Sequence, residues 1–170
     1  MTNFTIPERF TAESLESHYQ SLVKEKMRVS TLDDGELVTL VEQFSEIAGY
    51  KDASILQKEC FDLALKRQYD SLVGQKKYLD SEKESMKSQA NKTFSEWGPP
   101  PATTPLQKVA AAKCAEAWRA LARNYRLIAG GFMGMATRGY YADTAKLLAD
   151  ECDKSASECD NQVQIFEKYC

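Results

Sequence analysis

The stretch IAGGFMGMATRGYY, residues 128–141, gathers four glycines, two methionines and three aromatics, with no charge before Arg138. Glycine-rich loops cradle phosphates when they follow a strand and open a helix, because bare backbone amides then converge on the anion. Gly130, Gly131 and Gly134 lack that spacing. A helical pattern precedes them and no Gly-Lys-Ser/Thr follows, so the expectation is a helix stop and an irregular connection over 130–141. Cys152, Cys159 and Cys170 share one helical face, but positions seven and eleven apart cannot converge on one metal ion. They are expected to be buried as small hydrophobes. His18 is the only histidine, which excludes a histidine metal cluster. No nucleophile motif accompanies it, and the acidic pairs Asp33/Asp34 and Asp150/Glu151 fit a helix start and a solvated face. No catalytic residue, cofactor site or metal site is assigned.

Two binding chemistries remain. GFMG (131–134) has the GXXG form of a KH-type nucleic-acid loop, but it contains no Lys or Arg and no strand pattern flanks it. Arg119, Arg123 and Arg126, spaced by four and three, share a helix face, and Tyr140 and Tyr141 could stack bases nearby. The other chemistry is protein recognition. Methionines and aromatics on a glycine-hinged loop adapt to apolar partners. The candidate partner-binding set is therefore Arg119, Arg123, Arg126, Phe132, Met133, Tyr140 and Tyr141. The competing reading folds Phe132 and Met135 back into the core.

These residues sit in a chain of 170 residues, enough for one domain with a real core. A net charge of −3 gives no global attraction for nucleic acid or anionic lipid. Segment 105–138 is locally basic, with Lys108, Lys113, Arg119, Arg123, Arg126 and Arg138 against Glu116 alone. The start MTNFTIPERF has neither a basic region nor an apolar core, and the weakly polar run 127–136 is half of the ~20 residues that span a bilayer. Membrane contact is not expected, the five cysteines are read as reduced thiols, and a cytoplasmic location follows.

Apolar residues recur at helical spacing and no run alternates with period two, so the chain reads as all-α. Leu15, Tyr19, Leu22 and Val29 mark a helix over 11–29. Leu37, Leu40, Val41, Phe44 and Ile47 mark another, stopped by Gly49 and with Asp34 as a capping-box partner. Ala53, Leu56, Cys60, Leu63 and Ala64 belong to a third, which starts at Asp52 and either breaks or continues at Gly74. From 75 to 97 the apolar positions thin to a narrow seam. GPPPATTP (98–105) breaks the pattern as a proline-rich hinge between a first helical half (11–97) and a second (106–170). Thr104, Pro105 and Gln107 then cap a helix over 105–129 carrying Val109, Cys114, Trp118, Leu121, Tyr125 and Ile128. A last helix from Asp143 carries Leu148, Cys152, Ala156, Cys159, Val163, Phe166 and Cys170. The expected architecture is an irregular bundle of about six helices in one domain after a tail over 1–10.

Setting Gly49 against Gly130 aligns LVTLVEQFSEIAG with WRALARNYRLIAG. The segments that follow, GYKDASILQKEC and GYYADTAKLLADEC, both place Ala, Leu and Cys at spacings of three and four: Ala53, Leu56, Cys60 and Ala145, Leu148, Cys152. About ten inserted residues separate the copies. GYKDASILQKEC resembles the GYKDA-type units of bacterial tetratricopeptide-like repeats, and WRALARNY is similar to the first-helix pattern of that repeat through Trp118, Leu121, Ala122 and Tyr125. The resemblance implies two helical hairpins and a protein–protein recognition role without chemistry of its own. The expected function is an adaptor, inhibitor or accessory subunit that binds a partner protein through helix faces and the 130–141 loop. The alternative is a helical RNA- or DNA-associated subunit, or an inhibitor of a nucleoprotein complex, that uses segment 105–138. The narrow seams of 75–97 and 143–170 also allow a homodimer.

Overall fold

The computed structural model describes residues 4–170, which hold five α-helices, a short 3-10 turn and no strand. The helices are α1 (Ala12–Lys26), α2 (Asp34–Glu46), α3 (Ala53–Trp97), α4 (Pro105–Thr137) and α5 (Ala142–Glu167), with the 3-10 turn at Val29–Thr31. Five replace the six expected because the third and fourth are one helix. Gly74 lies in its interior, where glycine's propensity cost of ~1 kcal/mol is too small to stop a 45-residue helix. Two compact units divide within α3, one up to Gln68 and one from Tyr69. The division does not fall at the proline-rich stretch.

In the first unit α1, α2 and the start of α3 enclose Leu15, Leu22, Leu37, Leu40, Phe44, Ile47 and Cys60. Helix α1 is shorter than its periodicity suggested, and Val29 falls in the 3-10 turn, where the Arg67 guanidinium donates to the carbonyls of Val29 and Leu32 at 2.8 and 2.7 Å. The cap of α2 is Asp33, reciprocated by Glu36, so the capping-box partner falls two residues later than Asp34, where the sequence pattern placed it. The His18 ring packs on Phe10 at 5.1 Å, with its Nε2 buried and unpartnered.

The turn from α2 to α3 is held to α1 by polar contacts. Gly49 and Lys51 both take left-handed backbone, at φ 95° and 48°. Glu16 accepts from Lys51 at 2.6 Å and Tyr50 at 2.5 Å, Tyr19 donates to Asp52, and the Lys51 ammonium lies over the Tyr19 ring at 4.9 Å. The hydrogen bonds from Lys51, Tyr50 and Gln20 hold the Glu16 carboxyl at about 2, and the bond to Asp52 pushes the Tyr19 phenol up to about 12. A carboxyl lowered on folding contributes stability that is complete above its unfolded value and is lost as pH falls toward its folded one. The Glu16 contribution is therefore expected to drain away as pH falls from 4.5 toward 2. A carbon-detected titration of its side chain, compared with Glu16→Gln stability at pH 3 and pH 6, checks this; equal destabilisation at both pH values would refute it.

In the second unit α4 runs antiparallel to α3 and α5. The pairs Leu72–Gly131 and Asp80–Tyr125 run in opposite directions along α3 and α4, whereas Lys76–Glu151 and Lys83–Glu158 advance together along α3 and α5. The α4 seam is Ala111, Ala115, Trp118, Leu121, Tyr125, Ile128, Phe132 and Met135, and the α5 seam is Ala145, Cys152, Ala156, Cys159, Val163 and Phe166, all buried. Val109 and Cys170, expected on these seams, are exposed. Trp97 and Phe94 close the far end of α3 against Tyr169, whose hydroxyl donates to the Gly98 carbonyl at 2.7 Å. Thr104, Pro105 and Gln107 cap α4 as the sequence pattern requires.

Helix α4 does not stop at Gly130. It continues to Thr137, so the expected 130–141 loop is a helix end and a four-residue turn, 138–141. Phe132, Met135 and Ala136 extend the buried seam of Ile128 in register, and that packing outweighs three glycine penalties. Gly131 lies against α3: a Cβ there would meet the Leu72 side chain at 2.7 Å, so a larger residue would oblige Leu72 to shift. The inserted residues of the second copy thus lengthen a helix. The turn itself matches the first copy, with Gly139 at φ 76° and Tyr141 at 43° repeating Gly49 and Lys51.

Candidate interaction face

The seven residues selected from the sequence do not form one surface. Arg119 pairs with Glu116 at 3.3 Å and with Glu167, Arg123 pairs with Glu116 at 3.2 Å, and Arg126 pairs with Asp160. The arginine bonds hold the Glu116 carboxyl below its ordinary value, so the row meets ionised acids of its own unit. Phe132 is wholly buried and cannot touch a partner, which corrects its selection. Met133, 42% exposed, stands two helical turns beyond Arg126 on the arginine face. Tyr140 and Tyr141 lie in the turn with rings 4.8 Å apart, packed on Tyr69 at 6.0 and 5.3 Å.

The surface that the sequence reading missed lies between α3 and α4. Gly74, Gln75, Tyr78 and Leu79 form one wall of an open groove of about 390 Å³, and Asn124, Leu127 and Ile128 form the other. None of these residues carries a charge. Tyr78 is 68% and Leu127 75% exposed, and nothing lies within 4 Å of a Cβ built on Gly74. Elsewhere on α4, Leu106 and Val109 are also exposed, at 79% and 55%. The groove's signal in the sequence was Leu127, a large apolar residue one step off the α4 core seam of Tyr125 and Ile128. An uncharged groove rimmed by exposed Tyr78 and Leu127 marks a surface that a partner can cover. No protein family, curated protein or solved structure matches this chain. What the face does must come from its own geometry.

Between α3 and α5 the unit carries a half-buried charged ladder. Lys76 bonds Asp80 at 2.8 Å and Glu151 at 3.2 Å, while Lys83 bonds Ser155 and Glu158, each at 2.9 Å. Burial opposes the charge on Lys76, but its bonds to Asp80 and Glu151 outweigh that and raise its pKa. Tyr125 donates to Asp80 at 2.7 Å; burial and that bond push its phenol far above the ordinary range. Lys83 beside Ser155 has the outline of a nucleophile and base. The bond from Lys83 lowers Glu158 and keeps it ionised, so the pair is a salt bridge in which the ammonium donates to the serine. Among the described residues no group of three or more His, Cys, Asp or Glu could hold a metal ion, and no helix is long and apolar enough to cross a membrane.

The cysteines are graded by depth. Burial pushes the thiols of Cys152 and Cys159 up to about 11, raises those of Cys60 and Cys114, and leaves Cys170 exposed. Since the thiolate is the reactive form, a maleimide at neutral pH is expected to modify Cys170 first and Cys152 and Cys159 only on unfolding. Mass spectrometry of the time course checks the order; early label on Cys159 would contradict it.

Proposed function

We propose that this chain is a non-enzymatic helical module that binds the helix of a protein partner through the outer face of α4 and the α3–α4 groove. The observation that carries the reading is the uncharged groove flanked by the exposed side chains of Tyr78 and Leu127. An amphipathic helix lays its apolar face into such a groove at anchors three and four residues apart. The tetratricopeptide-like reading of the two hairpins supports it. Both turn through Gly-Tyr-x with left-handed backbone at the first and third positions, and both then bury an alanine and a cysteine seven residues apart. Such hairpins pack helix on helix, which suits a partner that supplies one more helix. The nucleic-acid alternative is weaker, because each of Arg119, Arg123 and Arg126 already faces a carboxylate of its own unit.

Photo-crosslinking in the native cell tests the proposal. A crosslinking amino acid at position 127 is expected to capture a protein, whereas the same group at exposed Asp153 on α5 is not. No adduct from 127, or equal adducts from both positions, would overturn it.

A further inference from the structure

We infer that the α3–α5 cleft of the second unit binds a small carboxylate, which takes the place of an acid missing from the charged ladder. The site is independent of the α3–α4 groove. Helices α3 and α5 run side by side in the same direction, so one interval relates facing residues along them. Lys76 meets Glu151 at 3.2 Å and Lys83 meets Glu158 at 2.9 Å, each pair 75 positions apart. Lys87 follows Lys83 by one turn on the same face, and the same interval brings it to Gln162. The third rung therefore has its ammonium, but a neutral amide stands where the other two rungs have a carboxylate.

A cavity opens at that rung. It measures about 170 Å³ and is lined by Lys83 and Lys87 of α3, Glu158, Asn161 and Gln162 of α5, and Trp118 of α4. Its charges are two ammoniums and one carboxylate, and Glu158 already pairs with Lys83. Among the described residues Lys87, Asn161 and Gln162 form no hydrogen bond or ion pair within the chain. Lys83 uses two of its three N–H groups, on Ser155 and Glu158. The cleft thus presents open donors and one positive charge in excess, which a single carboxylate answers with acceptors and one negative charge. The bond from Lys83 does most to lower Glu158 and the Lys87 charge adds to it, so Lys87 lies near this acid without pairing with it. Size narrows the ligand further. Pockets for drug-sized ligands begin at about 300 Å³, so this one admits a carboxylate with a short tail. The buried Trp118 indole and the lysine stems give that tail an apolar floor.

Titration of the full chain with sodium butyrate, against sodium chloride at equal ionic strength, tests the site by NMR. Butyrate is expected to move the side-chain amide signals of Asn161 and Gln162 and the indole N–H of Trp118 along saturating curves with one dissociation constant. The Trp97 indole, packed on Tyr169 at the far end of α3, should stay still. Lys87→Gln removes the unpaired charge from an exposed position and should raise the constant on the order of tenfold. Gln162→Glu supplies the third acid from the chain itself and should abolish binding with helix content unchanged. Inorganic phosphate should bind more weakly than butyrate, because its second negative charge faces Glu158 unpaired. Shifts that never saturate, equal shifts with chloride, butyrate binding that survives Gln162→Glu, or phosphate tighter than butyrate overturns the inference. If Gln162→Glu loses helix content, Lys87→Gln decides, and a constant equal to wild type overturns the inference as well.

Discussion

Phe132→Ala is expected to destabilise the α3–α4–α5 unit by about 3–5 kcal/mol, while Met133→Ala next to it changes stability by no more than about 0.5 kcal/mol. The contrast follows from one helical step. Phe132 is 0% exposed and meets Tyr69 edge-on at 6.0 Å, whereas Met133 is 42% exposed on the arginine face. Truncating a buried phenylalanine forfeits its transfer free energy and leaves a cavity that rigid helices close only in part. Deleting 132–136 should be worse. At ~100° per residue, removing five residues turns everything after the cut by ~500° relative to the seam before it, and the α4–α5 turn no longer meets Tyr69. Urea unfolding followed by helical circular dichroism measures all three. A stable, fully helical deletion variant would show that this segment is a surface elaboration outside the core.

The sequence carried the local signals of this fold and lost the ones that depend on neighbours. The cap at Thr104, Pro105 and Gln107 and the seam from Cys152 to Phe166 are local periodicities, and both appear where the spacing placed them. Gly49 and Gly130 follow the same Ile-Ala pair, yet only Gly49 ends its helix. The difference lies beyond the glycine. After Gly130 the residues Phe132, Met135 and Ala136 keep the three-and-four spacing, which is a stronger statement than a glycine's propensity. For the interaction face, the arginines and aromatics drew attention because their chemistry is conspicuous. The exposed leucines Leu106 and Leu127 did not, because a leucine on a helix is read as core until a structure shows which face turns inward.

Asp80→Ala is expected to cost about 2 kcal/mol, more than an exposed ion pair would. Asp80 is itself partly exposed, but its two partners are not: the Lys76 side chain is 16% exposed and Tyr125 is fully buried. Burial alone would raise the Asp80 carboxyl, and the bonds from Lys76 and Tyr125 overcome it and hold the group below its ordinary value. Removal leaves Lys76 with Glu151 and turns a buried phenol toward a missing acceptor, so most of the loss is desolvation left uncompensated. Tyr125→Phe removes the donor together with its need and should cost less, about 1 kcal/mol. The double variant should then be less destabilised than the sum of the two, because the orphaned hydroxyl is gone. The pH dependence separates this ladder from a packing effect. Asp80 has a lowered folded pKa, so its contribution is full at neutral pH and declines as acid protonates it, while the loss from a cavity would be the same at pH 7 and at pH 3. A coupling near zero, or an Asp80→Ala cost independent of pH, would assign Tyr125 to packing alone and leave the ladder as decoration on a core that stands without it.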